Sequence, residues 1–237
     1  MTYEYFMEVA RWRARALAHR VRKGLGLLPG APPEEKDLVF GIGMHRTGTR
    51  SLCEYLEDLG YRSLHWPHWC EWDLKQHLRD DNDRIMKLLD PLFYQYDCFT
   101  DVPFAGLYRE LDQRFPRGRF ILTTRSSESW WRSVVRHWGL GPEGSRRLDP
   151  GETIQYRLYE PADKTRISMR DEAIQLAKFE RHNTEVREHF ADRPGRLLVV
   201  DLADPDKNER ISAFLGKPTR PYPHVQDQNG DTRATAG

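Results

Sequence analysis

The chain predicts an α/β fold: a single domain on a central parallel sheet of about five strands, with helices on both faces and a P-loop-like phosphate cradle after the first strand. Two observations lead there. From Asp37 onward, short apolar runs alternate with helical patterns, and that alternation makes strands parallel and sets crossover helices on both sides of them. The first run, Leu38-Val39-Phe40, feeds into Gly41-Ile42-Gly43-Met44-His45-Arg46-Thr47-Gly48, and a helical pattern opens behind it. A glycine-bearing turn between strand and helix offers backbone N–H groups and a positive helix end to an anion.

The elements follow in order. Residues 3–24 read as a basic amphipathic helix, with arginines alternating with Trp12, Ala14, Leu17 and Val21. Gly24, Gly26, Pro29, Gly30, Pro32 and Pro33 then form a linker. Residues 1–36 are therefore set apart from a domain over 37–225 and a flexible tail over 226–237. Two readings of the helix stay open: it packs on the domain or on a second subunit of a homodimer, or it makes a weak membrane-surface contact. On this reading, deleting residues 1–30 leaves a folded domain. Strands are expected at 37–42, 61–64, 97–101, 119–124 and 196–201. Helices are expected at 50–59, within 71–89, and at 103–115, 126–138, 166–190 and 206–215. Ligands of such sheets bind beyond the C-terminal strand ends. Arg46, Asp101 and Arg125 all fall at or just past strand ends, so all three should meet on one edge.

The loop itself is selective. Gly43 and Gly48 have the spacing of a nucleotide-triphosphate loop, but Thr49 and Arg50 stand where lysine and a hydroxyl residue should follow. The cation lies inside the loop, at Arg46, and hydroxyls follow at Thr47, Thr49 and Ser51. A second motif stands behind it. Arg119-Phe120-Ile121-Leu122-Thr123-Thr124 reads as a buried strand ending at Arg125. A helix follows, with Ser126 or Ser127 as its N-cap, Glu128 in its first turn, and Ser133 eight positions after Arg125.

Arg46-Thr47-Gly48-Thr49-Arg50-Ser51 resembles the 5′-phosphosulfate loop of sulfotransferases, with arginine in place of lysine and Arg50 where the second threonine would be. Arg125 and Ser133 resemble that superfamily's 3′-phosphate pair. His182-Asn183-Thr184-Glu185-Val186 and Phe214-Leu215-Gly216-Lys217-Pro218, with Tyr222-Pro223-His224, look like a compact, largely bacterial branch. The resemblance runs from about Asp37 to about Val225.

It implies a metal-independent enzyme that takes its sulfuryl group from 3′-phosphoadenosine-5′-phosphosulfate and leaves adenosine 3′,5′-bisphosphate. Arg46 would serve the 5′-phosphate and the bridging oxygen. The backbone of Thr47, Gly48, Thr49, Arg50 and Ser51 would cradle that phosphate, and Arg125 with Ser133 would hold the 3′-phosphate. The acceptor would be a hydroxyl of a small molecule, lipid or sugar. Asp101, just before Val102-Pro103, is the first choice for its base, and His65 the second; Asp101 also reads as a helix cap. A P-loop kinase of a small metabolite and a non-catalytic nucleotide- or partner-binding member remain as alternatives.

Composition sets outer limits. With 37 basic and 36 acidic side chains, net charge gives no argument for a nucleic-acid partner. Cys53, Cys70 and Cys98 are odd in number and have no paired spacing, so a reduced, cytoplasmic setting is the simplest reading. A zinc site from His65, His68, Cys70 and His77 fits no common spacing, and no metal is expected. The cluster from His65 to Trp72 suits either core packing or an acceptor wall. Gly139 to Gly151 suits a lid or an ordinary surface loop.

Overall fold

The computed structural model describes residues 3–28, 31–67, 82–138 and 171–223. The aromatic cluster beyond Pro67, the 139–151 segment and the tail lie outside them. Five strands form one sheet: β1 (Val39–Gly41), β2 (Ser63–His65), β3 (Cys98–Thr100), β4 (Arg119–Thr124) and β5 (Leu197–Asp201). Their order is β2-β3-β1-β4-β5, and every pairing is parallel. Seven α-helices accompany them among the described residues: α1 (Tyr3–Gly24), α2 (Thr49–Asp58), α3 (Asn82–Gln95), α4 (Tyr108–Arg114), α5 (Ser127–Trp138), α6 (Glu172–His189) and α7 (Lys207–Leu215).

Strand period two sorts the apolar run of β1 onto both faces. Leu38, Phe40 and Ile42 join one core with Phe99, Phe120 and Leu122, covered by α1, α3 and α4. Val39 joins the other with Cys98, Ile121 and Val200, covered by α2 and α7. Both faces are dry, which is why these strands read as continuous apolar runs. Phe40 anchors the first core, its ring stacked 5.5 Å from Phe99 and 5.3 Å from Phe120. The topology sets the site. From β1 the chain crosses to β2 at one edge, returns through β3, then passes to β4 on the other side of β1. Connections diverge around β1, and in open α/β sheets that is where a crevice forms.

Helix α3 departs from expectation. It runs through Pro91 to Gln95, although proline removes a helical N–H and crowds the preceding turn. Burial decides it: Leu89, Leu92 and Phe93 on either side of Pro91 are almost wholly enclosed, and the Gln95 side-chain amide donates to the Pro91 carbonyl at 3.0 Å.

Helix α1 covers 3–24 as expected but is no detachable extension. Trp12, 4% exposed, and Ala16 belong to the first core. Further along, His19 Nε2 lies 2.8 Å from the Asp90 carboxylate, and Lys23 Nζ donates to the same group at 2.9 Å. Arg114 of α4 also donates to it. Burial pushes the Asp90 carboxyl up, but these donors outweigh it and hold it below the ordinary 3.8. A depressed carboxyl pKa stabilises the fold above the unfolded value, and that stabilisation is lost as pH falls through the folded one. The Asp90 cluster therefore pins α1 to α3 and α4 at neutral pH. We expect Trp12→Ala to cost about 3–5 kcal/mol, the usual range for an enclosed aromatic. Removing residues 1–30 should destabilise further, against the sequence-based expectation. Urea denaturation measures both, and a loss below about 1 kcal/mol for Trp12→Ala would make α1 peripheral to the core.

Candidate active site

The loop between β1 and α2 is pressed onto the end of β4. A Cβ on Gly43 would lie 2.2 Å from Thr123 Oγ1 and 2.5 Å from both the Thr123 carbonyl and Thr47 Oγ1, so only glycine fits. The Thr47 hydroxyl donates to the Met44 carbonyl at 2.6 Å and lies 2.9 Å from Thr123 Oγ1. The Thr47 N–H also donates to Met44, at 3.2 Å. Thr47 is fully buried, so both of its donors serve the loop itself. Thr47, expected in the cradle, thus spends its N–H and hydroxyl inside the loop as a clasp to β4. Gly48 takes φ +76°, a conformation that L side chains rarely adopt, and packs on Leu202.

Three carbonyls of the loop are held from outside it. Trp130 Nε1 of α5 donates to the His45 carbonyl at 2.8 Å, His182 Nε2 of α6 to the Ile42 carbonyl at 2.8 Å, and Arg125 Nη1 to the Arg46 carbonyl at 3.2 Å. Burial lowers the His45 pKa to about 3 and that of His182 to about 4, so both rings are neutral at pH 7. Trp130 stacks on Phe179, their centroids 4.5 Å apart. Of these three supports the sequence singles out only Arg125, for a ligand contact and not for this one; His182 stands only within a family-like segment, and nothing in the sequence marks Trp130.

The cations converge as the strand ends require. Arg46 has φ +65°, a left-handed backbone outside glycine. Such positions persist only where surroundings over-determine them, and here the held carbonyls at Ile42, His45 and Arg46 do so. The Arg46 Nε donates to Ser133 Oγ at 3.1 Å, and its Nη1 to His137 Nδ1 at 3.4 Å. The Arg125 Nε donates to Ser129 Oγ at 3.0 Å. Burial, then the neighbouring Arg46 guanidinium, lower the Arg125 pKa. No carboxylate lies within ion-pair distance of Arg125 among the described residues. Two guanidinium-bearing residues meet beside the start of α2, whose first amides have no intrahelical acceptor. The Ser126 hydroxyl caps α5, accepting from the Ser129 N–H at 3.3 Å.

Ser133, eight residues past Arg125, bonds the Arg46 guanidinium, and Ser129, four past it, bonds that of Arg125. The 3′-phosphate role expected of Arg125 and Ser133 is a contact of each with the donor, not with one another. Arg50 turns outward, its side chain 59% exposed and 3.7 Å from Glu54, so only its amide belongs to the cradle. Ser51 is half-buried in the first turn of α2.

Asp101 and His65 lie together. Asp101 follows β3 with φ +70°. One carboxylate oxygen accepts from the Thr49 hydroxyl at 2.9 Å, the other from the Val102 N–H at 2.8 Å. His65 ends β2, its Nδ1 3.0 Å from Thr100 Oγ1 and its Nε2 3.6 Å from Asp101 Oδ2. The Asp101 carbonyl also accepts from the Ala105 N–H at 3.1 Å, so Asp101 serves the next turn as well. Of the residues in the zinc reading, His68, Cys70 and His77 lie outside the described residues; among those described, no group of three or more His, Cys, Asp or Glu could hold a metal ion. Nor is any described helix long and apolar enough to cross a membrane.

The arrangement gathers the start of α2, two arginines and a polar histidine–carboxylate pair at one sheet edge. Comparisons with known proteins agree in kind. A stretch of 106 residues is 30% identical to "Ava biosynthesis cluster protein M" of Aspergillus versicolor, covering 40% of this chain and 41% of that protein. The chain thus spans about two fifths of that relative's length. A family model described as a sulfotransferase domain matches residues 38–230, from the start of β1 past the last described strand and helix. With the cradle, both cations and all five strands inside that match, the protein belongs to the sulfotransferase-domain family.

Proposed function

We propose that the protein moves a sulfuryl group from 3′-phosphoadenosine-5′-phosphosulfate to a hydroxyl of a small-molecule, lipid or sugar acceptor. The observation that carries this reading is the meeting of Arg46 and Arg125 beside the N-terminus of α2. Two guanidinium groups at one sheet edge create a positive field that favours an anion beside them, and a donor phosphorylated at both the 3′ and 5′ positions of its ribose supplies two. The residues fit such a donor: the amides from Gly48 to Ser51 would serve one phosphate, and Arg125, held beside the loop by the Arg46 carbonyl and by Ser129, would serve another with Ser133. The donor brings the activated sulfuryl group; everything else is done by the chain.

Arg46 stabilises charge developing on the oxygen that leaves, where a preorganised donor is worth most. Ser133 and His137 hold its guanidinium in place before the reaction. Thr49 ties Asp101 to the first turn of α2, so the carboxylate that supports the base is held to the cradle. The acceptor proton leaves as its oxygen bonds to sulfur. His65 takes it at Nε2, its Nδ1–H being engaged with Thr100 Oγ1, and Asp101 Oδ2, 3.6 Å from Nε2, stabilises the imidazolium that forms. Asp101 is poorly placed to act alone, since both its oxygens already accept hydrogen bonds.

Arg125→Ala should weaken adenosine 3′,5′-bisphosphate by about 1.5–3 kcal/mol, the worth of a charge-assisted contact, and leave adenosine 5′-monophosphate nearly untouched. Arg46→Ala should do the reverse: bisphosphate affinity nearly kept, turnover down about a hundredfold. Calorimetry and labelled-donor kinetics read the two. Equal losses of both nucleotides in Arg125→Ala would remove its 3′-phosphate role.

For the pair, Asp101→Asn and His65→Gln should each lower turnover by roughly two to four orders of magnitude with bisphosphate binding preserved. The double variant should lose little more than the worse single, because residues acting as a unit are not additive. Full activity in Asp101→Asn with loss in His65→Gln would reduce Asp101 to a cap of the turn after β3.

A further inference from the structure

Helix α1 has two apolar faces, and the fold buries one. Val9, Trp12, Ala16 and His19 face the domain. On the opposite side Tyr3, Met7, Ala10, Ala14, Leu17 and Val21 recur at steps of four and three, the spacing of a continuous helical stripe. Phe6 borders that stripe, and Leu25 and Leu27 extend it past the helix end. All are exposed, Tyr3 by 79% and Leu17 by 59%. No charged residue interrupts the stripe. Arg11, Arg15 and Arg22 line one border and Arg13 and Arg20 the other, with Glu4 and Glu8 near the first turns.

We propose that this outer face docks on an anionic lipid surface, the helix lying in the plane of the headgroups. An interfacial helix needs an apolar face flanked by cations, and here both borders carry arginines. Charge favours lipid over a second copy of the chain. Pairing two such stripes would set arginine borders against arginine borders near the middle of the helix, where Arg11, Arg13 and Arg15 cluster and no acid lies. A sheet of phosphate and carboxylate headgroups matches both borders at once. The face is also presented ready-made: Trp12 in the core and the Asp90 cluster at the other end fix the helix before any lipid is met. With a net charge of +1 over the whole chain, attraction to such a surface must come from this helix and not from the domain at large.

The test is flotation of the full chain with vesicles of phosphatidylcholine and phosphatidylserine in equal parts, against phosphatidylcholine alone. The chain should float with the mixed vesicles, stay behind with the neutral ones, and be released by high salt. Leu17→Glu with Val21→Glu changes only exposed positions, so thermal midpoint and bisphosphate binding should hold while vesicle binding falls at least tenfold. Arg11→Gln with Arg15→Gln and Arg22→Gln should weaken binding to the mixed vesicles and blunt its salt dependence, and serves should the first variant fold poorly. A wild-type chain that ignores the mixed vesicles, or glutamate and glutamine variants that bind as well as it does, would overturn the proposal. So would a wild-type dimer, seen by sedimentation velocity, that Leu17→Glu with Val21→Glu splits into monomers, since the stripe would then belong to a second copy.

Discussion

Everything at the strand ends depends on one close approach, that of the Gly43 backbone to Thr123 at the end of β4. The glycine leaves no gap for a side chain, and the two threonine hydroxyls of Thr47 and Thr123 close over it. That clasp lays the loop across β4, and Arg46 is thereby carried toward the residue that follows β4, Arg125. The left-handed backbone at Arg46 is tolerable because three loop carbonyls are held from α5, α6 and the β4 end. Loosen the clasp, and the two cations have no reason to stay together.

The cost of this arrangement is electrostatic, and the fold contains it in a particular way. His45 in the loop and His182 beneath it are kept neutral by burial, so neither adds to the positive field, and His182 braces the loop through the Ile42 carbonyl. Charge is confined to the side that opens toward a ligand. Asp101 is the carboxylate nearest the cradle's first turn, and Thr49 fixes it there through the helix that also offers the amides. The Asp101 carboxylate, the helix-start amides and the two arginines thus share one short unit, α2 and the ends of β1, β3 and β4.

Much of this was legible from local pattern. Five parallel strands and the crowding of Arg46, Asp101 and Arg125 on one edge follow from alternation alone, because parallel crossovers put every strand end on the same side. The strand bounds shifted by a residue or two, enough to bring His65 into β2 and next to Asp101. What pattern could not show was long-range. Pro91 stops a helix on local grounds but not when its neighbours are fully buried. Thr47 looks like a phosphate ligand by position, and only the Thr123 hydroxyl 76 residues away turns it inward. Ser133 is matched with Arg125 by resemblance and spacing, and neither shows that its hydroxyl accepts from Arg46, 87 residues away. Trp12 in an arginine-rich segment gives no sign that its ring completes the core.

The central claim is that the cradle is built for a nucleotide with phosphates at both the 3′ and 5′ positions, and not for a metal-bound triphosphate. The most direct measurement is calorimetric titration of the full chain with adenosine 3′,5′-bisphosphate and, separately, with magnesium-ATP. The account predicts one-to-one binding of the bisphosphate without added metal, at least tenfold tighter than adenosine 5′-monophosphate, and weak or absent binding of magnesium-ATP. Tight magnesium-dependent ATP binding with no heat from the bisphosphate would contradict it.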